Sequence, residues 1–372
     1  MPKICHLTSV HPIDDVRIFT KECTSLANNG FDVTLIACGD TAFEDIKNNV
    51  KLISLKVLVN NRLQRFFKRS TAIYSKAVEV DAEIYHFHDP ELIPIGLKLH
   101  RKGKKIIYDS HEDTAVQIKT KKWIPKIFRN LISFVFMKYE VFAIKRFDAV
   151  ISVTPLIVEK FKKINSETYQ ITNYPFITND CEIKSNIKEN IAFAGAINHA
   201  YMFENVLKAL DQTNGTKLIL AGEPITEIYL NELKQTKGWG KVEYIGRIPH
   251  NQVKELYSHS AIGIACLDYT SNVGFKEGSL GVLKFFEYMN AGMALICTDF
   301  KLWDEIIKKY NCGISVNPHN FQEIRDAIQY LVNNPEKAIE MGENGKNAVK
   351  TEFNWESQEA ILVNLYKNLQ CK

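Results

Sequence analysis

Short runs of β-branched and apolar residues alternate along the chain with stretches whose apolar positions recur every three to four residues. In the first half the strand-like runs are KICHLTS (3–9), FDVTLIA (31–37), VKLISLKV (50–57), AEIYHFH (82–88), KIIYDSH (105–111) and AVISVT (149–154). A second series follows the polar stretch NDCEIKSNIKEN (179–190): IAFAGAI (191–197), KLILAGE (217–223), KVEYIGRI (241–248), IGIACL (262–267), ALICTD (294–299) and GISV (313–316). Between the first two runs, Val16, Phe19, Cys23 and Leu26 keep helical spacing up to Gly30, a natural stop. The tail predicts helices over 334–352 and 354–369. Strands alternating with helices imply an α/β protein with parallel sheets covered on both faces. The pattern therefore predicts two Rossmann-like domains, 1–178 and 179–353, with ligands at the carboxyl ends of the strands, in a cleft between the domains.

Composition narrows the class. The 372 residues, 45% of them hydrophobic, suffice for two cores, and no fixed-period repeat or low-complexity tract appears. Eight cysteines are scattered without a C-x-x-C pair, several within apolar runs, which predicts buried thiols in a reducing cytosol. The first residues enter a strand directly, so no signal peptide is expected. Segment 123–147 is rich in apolar residues, but Lys126, Arg129, Lys138, Glu140 and Lys145 interrupt it, and it falls short of a membrane span.

Charge is divided unevenly: the net value of +4 is +8 over residues 1–178 and −4 over the remainder. Clusters in which aromatic residues accompany cations, RLQRFFKRS (62–70) and KTKKW (119–123), suit either an anionic membrane surface or a solvated face beside an ordinary core helix. No nucleic-acid-binding motif accompanies the charge, so nucleic acid is not an expected partner.

Four polar-dense stretches lie at predicted strand ends: HPIDDVRIFTKE (11–22), HFHDPE (86–91), DSHED (109–113) and EGSLGVLKFFE (277–287). His86 and His88 alternate on one strand and share a side. With Asp89, Asp109 and His111 they raise the alternative of a zinc hydrolase, but no further ligand set of the expected kind follows, and no metal is expected.

These features together resemble the family-4 retaining glycosyltransferases of the GT-B fold, carried by DDVRIFTKECTSLANNGFDVTLIA, HFHDPELIPIGL, IIYDSHED, ITNYP, LKFFEYMNAGMALICTD, CGISVNP and FNW. The resemblance implies two Rossmann-like domains facing across a cleft, with a C-terminal helix (about 354–372) crossing back to the first. It also implies a nucleoside-diphosphate-sugar donor, UDP- or GDP-linked, on the second domain. A glycan or glycolipid acceptor would sit on the first, with no cofactor and no metal. Such an enzyme would work in the cytoplasm or at the inner face of the membrane. The rival readings are a GT-B protein that binds without catalysing and, less favoured, the metal-dependent hydrolase.

On the donor side, a helix expected to begin near Leu280 would aim backbone N–H groups of Gly281, Val282 and Leu283 at a diphosphate, with Gly278 and Ser279 permitting close approach. Lys284 would stabilise the leaving nucleoside diphosphate. Glu287 matches the family's ribose-binding glutamate, and a carboxylate suits a vicinal diol because it offers two acceptor oxygens. The family's preceding glutamate falls at Ser279, with Glu277 two residues too early. Gly195 belongs to the donor site by resemblance, yet no Arg or Lys occurs from Asn198 to Val206, where relatives place a basic residue. His199, Tyr201 or Arg247 are the candidate substitutes, Arg247 being equally a surface residue, and the backbone near Ile248 resembles the part that holds the base. On the acceptor side, His111 matches a histidine beside the reacting sugar, with Asp109 and Glu112 orienting it or its loop. His88 joins this group, and Asp15 and Arg17 suit either an acceptor contact or an internal ion pair.

Overall fold

The computed structural model describes residues 1–61, 64–121, 123–177 and 190–371. These form two compact units, Met1–Asn173 with Trp355–Lys372, and Tyr174–Asn354. The boundary expected at 178/179 lies outside the described residues.

The first unit is built on an eight-stranded sheet in the order β3-β4-β2-β1-β5-β6-β7-β8. Its strands are β1 (Lys3–Thr8), β2 (Asp32–Gly39), β3 (Phe43–Lys47), β4 (Val50–Lys56), β5 (Ile84–Phe87), β6 (Lys105–Ser110), β7 (Ala149–Ser152) and β8 (Thr168–Gln170). All pairings are parallel except β3 with β4. Both faces of the central strands are buried, which is why their sequences are nearly continuous apolar runs. β3 was not expected: FEDIK is exposed throughout and reads as polar loop. It forms because Asn48 and Asn49, with φ of 52° and 59°, supply the left-handed turn that closes a tight hairpin.

The helix after β1 also departs from expectation. Val16–Cys23 is wound in wide π turns before Thr24–Asn28 continues as α-helix. The changed winding shifts the phase of the buried face, so Ile18 and Phe19 enter the core while Val16 is 51% exposed. The C-terminal helix Trp355–Cys371 belongs to this unit. Its Trp355, Leu362, Leu365, Tyr366 and Leu369 join a core with Ile4, Phe19, Leu26 and Phe31. The Trp355 indole donates to Ser25 Oγ at 2.9 Å, and the Thr172 amide donates to Gln358 at 2.8 Å.

The second unit has a six-stranded, wholly parallel sheet, β11-β10-β9-β12-β13-β14. The strands are β9 (Asn190–Ala194), β10 (Lys217–Ala221), β11 (Val242–Gly246), β12 (Ile262–Ala265), β13 (Ala294–Thr298) and β14 (Gly313–Val316). Strand order runs outward in both directions from the β9/β12 pair, which makes that pair the topological switch point. Two buried clusters, one around Phe285, Tyr288 and Trp303 and one around Phe193, Leu220 and Ile328, hold the sheet between its helices. Each fully buried large side chain contributes on the order of 2–3 kcal/mol. The chain thus has the two-domain GT-B architecture.

Candidate functional site

In the second unit a cavity of about 960 Å³ opens at the carboxyl ends of β9, β10 and β11. Its walls are Ala194–Ala196, Ala221–Pro224 and Arg247–Pro249, closed by Val253, Tyr257, Lys284 and Glu287. Two glycines let these strand ends converge. Gly195 and Gly222 sit at φ of 152° and 146°, and a Cβ on Gly222 would overlap the Gly195 carbonyl. A Cβ on Gly195 would take the place of the Lys284 ammonium. The cavity therefore lies beside the switch point because the backbone there can approach so closely.

The helix bearing Lys284 and Glu287 is Leu283–Asn290, three residues later than expected. Gly278, at φ 85°, and a turn in which Ser279 Oγ accepts the Gly281 amide at 3.1 Å take up the preceding residues. Ser279 also accepts the Trp303 indole N–H at its carbonyl. The serine side chain at this position is thus explained locally, by the Gly281 amide it accepts, while Trp303 holds the backbone of the turn. Gly281, Val282 and Leu283 do not line the cavity. The N-cap Val282 gives no side-chain cap, leaving the first-turn amides without one. Glu277 ends a separate turn and pairs with Lys301 at 3.3 Å, away from the cavity wall.

Lys284 is half-buried. Its Nζ lies 5.2 Å from the Phe193 ring centre and 5.6 Å from that of Tyr201. Burial pulls its pKa down, with the Glu287 carboxylate opposing. Among the described residues it makes no ion pair, and the Glu287 carboxylate accepts no hydrogen bond. A cation and a carboxylate one turn apart, each uncommitted at the wall of one cavity, are costly to the free protein and suited to a polar ligand. Burial, and then Glu287, push the Tyr201 phenol up to about 12, so it stands by Lys284 as a neutral ring. Of the expected substitutes for the missing cation, His199 turns instead to Glu204 and Tyr229. Arg247 is on the cavity rim, 81% exposed and 3.4 Å from Glu223.

In the first unit the register sets His6 beside His86. His88 and Asp109 follow at the ends of β5 and β6. Arg17 enters this group from the helix. It is 5% exposed, donates through Nη2 to Asp109 at 2.8 Å and lies 3.1 Å from Glu22. Its Nη1 donates to the Ile171 carbonyl. The internal ion pair expected for Arg17 exists, but with Asp109, not Asp15. Asp15 is the N-cap, accepting from the Arg17 and Ile18 amides at 2.9 Å, and lies 3.6 Å from His11. Against the effect of burial, His11 and the Ile18 amide hold its carboxyl at about 2. His88, 2% exposed, is interior as well, so neither Arg17 nor His88 presents a surface to an acceptor.

Burial pushes His6, His86 and His88 down, so their imidazoles are neutral. Tyr366 bridges His86 Nδ1 at 2.9 Å and His6 Nε2 at 3.1 Å, and His6 meets His88 at 3.1 Å. Burial would raise Asp109, but Arg17 and His111 hold it well below the usual range, whereas burial drives Glu22 well above it. One guanidinium is thus balanced by one ionised carboxylate. Ligand-type atoms of His6, Glu22, His86 and His88, and of His88, Asp109 and His111, lie within 4.8 Å of one another. These are the described residues that could hold a metal. In this arrangement the cation between the Asp109 carboxylate and the Glu22 carboxyl group is Arg17.

Towards solvent, His111 Nε2 lies 3.2 Å from Asp109, and the His111 ring is 5.3 Å from that of His11. His11, held between Asp15 and Asp89, was not singled out from sequence, although it opens one of the polar-dense stretches. Glu112 is exposed and accepts from the Gln117 amide.

Comparison with known proteins agrees with this architecture. Residues 182–348 match the family described as Glycosyl transferases group 1, and residues 17–171 match Glycosyltransferase Family 4. An uncharacterised glycosyltransferase of Methanocaldococcus jannaschii is 23% identical, over 94% of this chain and 93% of the relative. Sucrose-phosphate synthase from Thermosynechococcus elongatus superposes with a TM-score of 0.79 at 16% identity, covering 100% of both chains. HepE of Anabaena, solved with UDP and glucose, gives 0.71 at 12% identity over 99% of this chain and all of that one. The chain belongs to the family-4 glycosyltransferases of the GT-B fold.

Proposed function

We propose that this glycosyltransferase moves a hexosyl group, with retention of configuration and without a metal, from a UDP- or GDP-sugar to an acceptor hydroxyl of a surface glycan or its lipid carrier. The observation that carries the reading is the pairing of Lys284 and Glu287, both uncommitted, at the wall of the cavity beside the β9/β12 switch point. Lys284 would meet the diphosphate, on which negative charge grows as the glycosidic bond breaks. Glu287 would accept from the ribose diol. The Arg247–Pro249 segment would receive the base, and the UDP bound to HepE favours uracil. His111 and His11 are assigned to the reacting sugar and acceptor, His111 positioned by Asp109. With the leaving phosphate taking the acceptor proton, same-face attack needs no separate protein nucleophile. Work at an anionic membrane surface, from the cytoplasmic side, would give the basic first domain its partner.

Titration calorimetry with UDP, GDP and ADP tests the donor site. One of these is expected to bind with a Kd below about 1 mM, an affinity equivalent to roughly 4 kcal/mol. Absence of binding by all three at millimolar concentration overturns the proposal. Binding without slow hydrolysis of any sugar in a matching nucleotide-sugar panel would favour a carrier or scaffold instead.

A further inference from the structure

The Lys126–Ile144 helix of the first unit lays Phe136 and Tyr139 against the core but carries a second apolar face outward. Towards the interior it turns Ser133, which donates to the Ala115 carbonyl at 2.6 Å, and Glu140, which accepts from the Tyr108 hydroxyl, together with Ala143 and Ile144. Towards solvent it turns Ile127, Phe128, Leu131, Phe134 and Val135, exposed by 80, 50, 59, 54 and 57%. These positions follow helical spacing and form one stripe. Trp123, 60% exposed, stands just ahead of the helix. Single exposed apolar residues are ordinary, but a continuous stripe of large ones marks a surface with a partner.

Charge selects the partner. Residues 119–146 contain eight Lys or Arg and one acidic residue, Glu140, and that one is buried. Lys126, Lys138, Lys145 and Arg146 are exposed, and Lys138 and Arg146 lie over the rings of Phe134 and Phe142. A second copy on this face would bring two cationic rims together. An anionic bilayer meets both requirements, taking the stripe among its acyl chains and the cations among its headgroups. No described helix is long and apolar enough to cross a membrane, so this one lies in the interface plane. We infer that Lys126–Ile144 is a membrane-docking helix, inserting Phe128, Leu131 and Val135 into the headgroup boundary of an anionic leaflet. This deepens the membrane-surface part of the proposed function but does not depend on the donor chemistry.

The test uses the full chain and vesicles without nucleotide. Vesicles of phosphatidylcholine with roughly one-third phosphatidylglycerol are expected to sediment the protein and blue-shift Trp123 emission, whereas pure phosphatidylcholine binds it at least about tenfold more weakly. The double variant Phe128→Glu/Leu131→Glu replaces only exposed side chains. It is expected to keep the wild-type melting temperature and calorimetric nucleotide binding while losing about tenfold or more in vesicle partition. Failure of the wild type to bind anionic vesicles overturns the inference, as does unchanged partition of the double variant. Sedimentation velocity showing a dimer that this variant dissociates would assign the face to a second copy and likewise overturn it. Nucleotide binding read on the same samples separates any of these results from failure of the donor-site proposal.

Discussion

Lys284 shows how far one side chain can serve ligand binding at the expense of the free protein. Its ammonium is half-buried, has no described ion-pair partner, and is held over Phe193 and Tyr201. Lys284→Met keeps the length of the side chain and its contact with both rings while removing a charge that burial disfavours. This variant is expected to lower donor turnover by about 100-fold or more, as loss of a transition-state charge contact does. Its melting temperature is expected to rise, because no paired charge is broken. Thermal melts and donor-hydrolysis rates on the same preparation check both directions; unchanged turnover would remove Lys284 from the site. The sign of the pKa shift adds a pH test. Because burial lowers it, the wild-type ammonium is lost at a lower pH than that of an ordinary lysine, so nucleotide affinity should fall early on the alkaline side. Lys284→Met should lack that limb.

At the scale of elements, the helix after β1 depends on Asp15. Its amide contacts and His11 hold the carboxyl at about 2, against an ordinary value of 3.8. A depressed carboxyl stabilises the fold fully above its unfolded pKa and loses that contribution as pH falls through the folded value. Asp15→Asn keeps a capping side chain but not the charge. It should therefore cost about 1 kcal/mol at pH 5, after allowance for the quarter of the side chain open to solvent. The difference from wild type should shrink between pH 4 and about 2. Melting curves across that range check it, and a difference independent of pH would show that the charge contributes nothing. The same helix shows where periodicity misleads. Val16 has the right spacing for an α-helix, but the wide turns from Val16 to Cys23 move Ile18 into the core instead.

For the whole molecule, the chain returns to its first unit through one helix, and Trp355 is the anchor of that return. It is fully buried and donates to Ser25. Trp355→Ala should cost about 3–5 kcal/mol through the cavity it leaves. That loss should appear in the first unit, seen as faster hydrogen exchange around Ser25 and Leu362, while calorimetric nucleotide binding by the second unit persists. Loss of both together would mean that the two units do not hold their folds separately.

The alternation of apolar runs determined the strand order along the chain and the α/β class, because a strand buried on both faces must be written as a continuous apolar run. Family motifs placed Lys284, Glu287 and His111 at strand or helix ends. Local pattern could not reveal β3, whose exposed FEDIK carries no burial signal and whose only cue is the Asn-Asn turn. Nor could it show which partner an ionisable residue takes, since that depends on register between strands far apart in sequence. Arg17 is two positions from Asp15 in sequence yet is balanced by Asp109, 92 positions away, which made a candidate acceptor contact into an interior charge. The serine at 279 became intelligible only with the turn that delays the helix start, in which its hydroxyl accepts the Gly281 amide. In sequence, Lys126–Ile144 likewise read only as an apolar segment too interrupted by charge to span a membrane, and tertiary packing decided which face was covered. Sequence determined which segments must be buried somewhere; only the packed structure decided which charges meet and which apolar face remains without a neighbour, because both are settled by distances between segments and not by order within them.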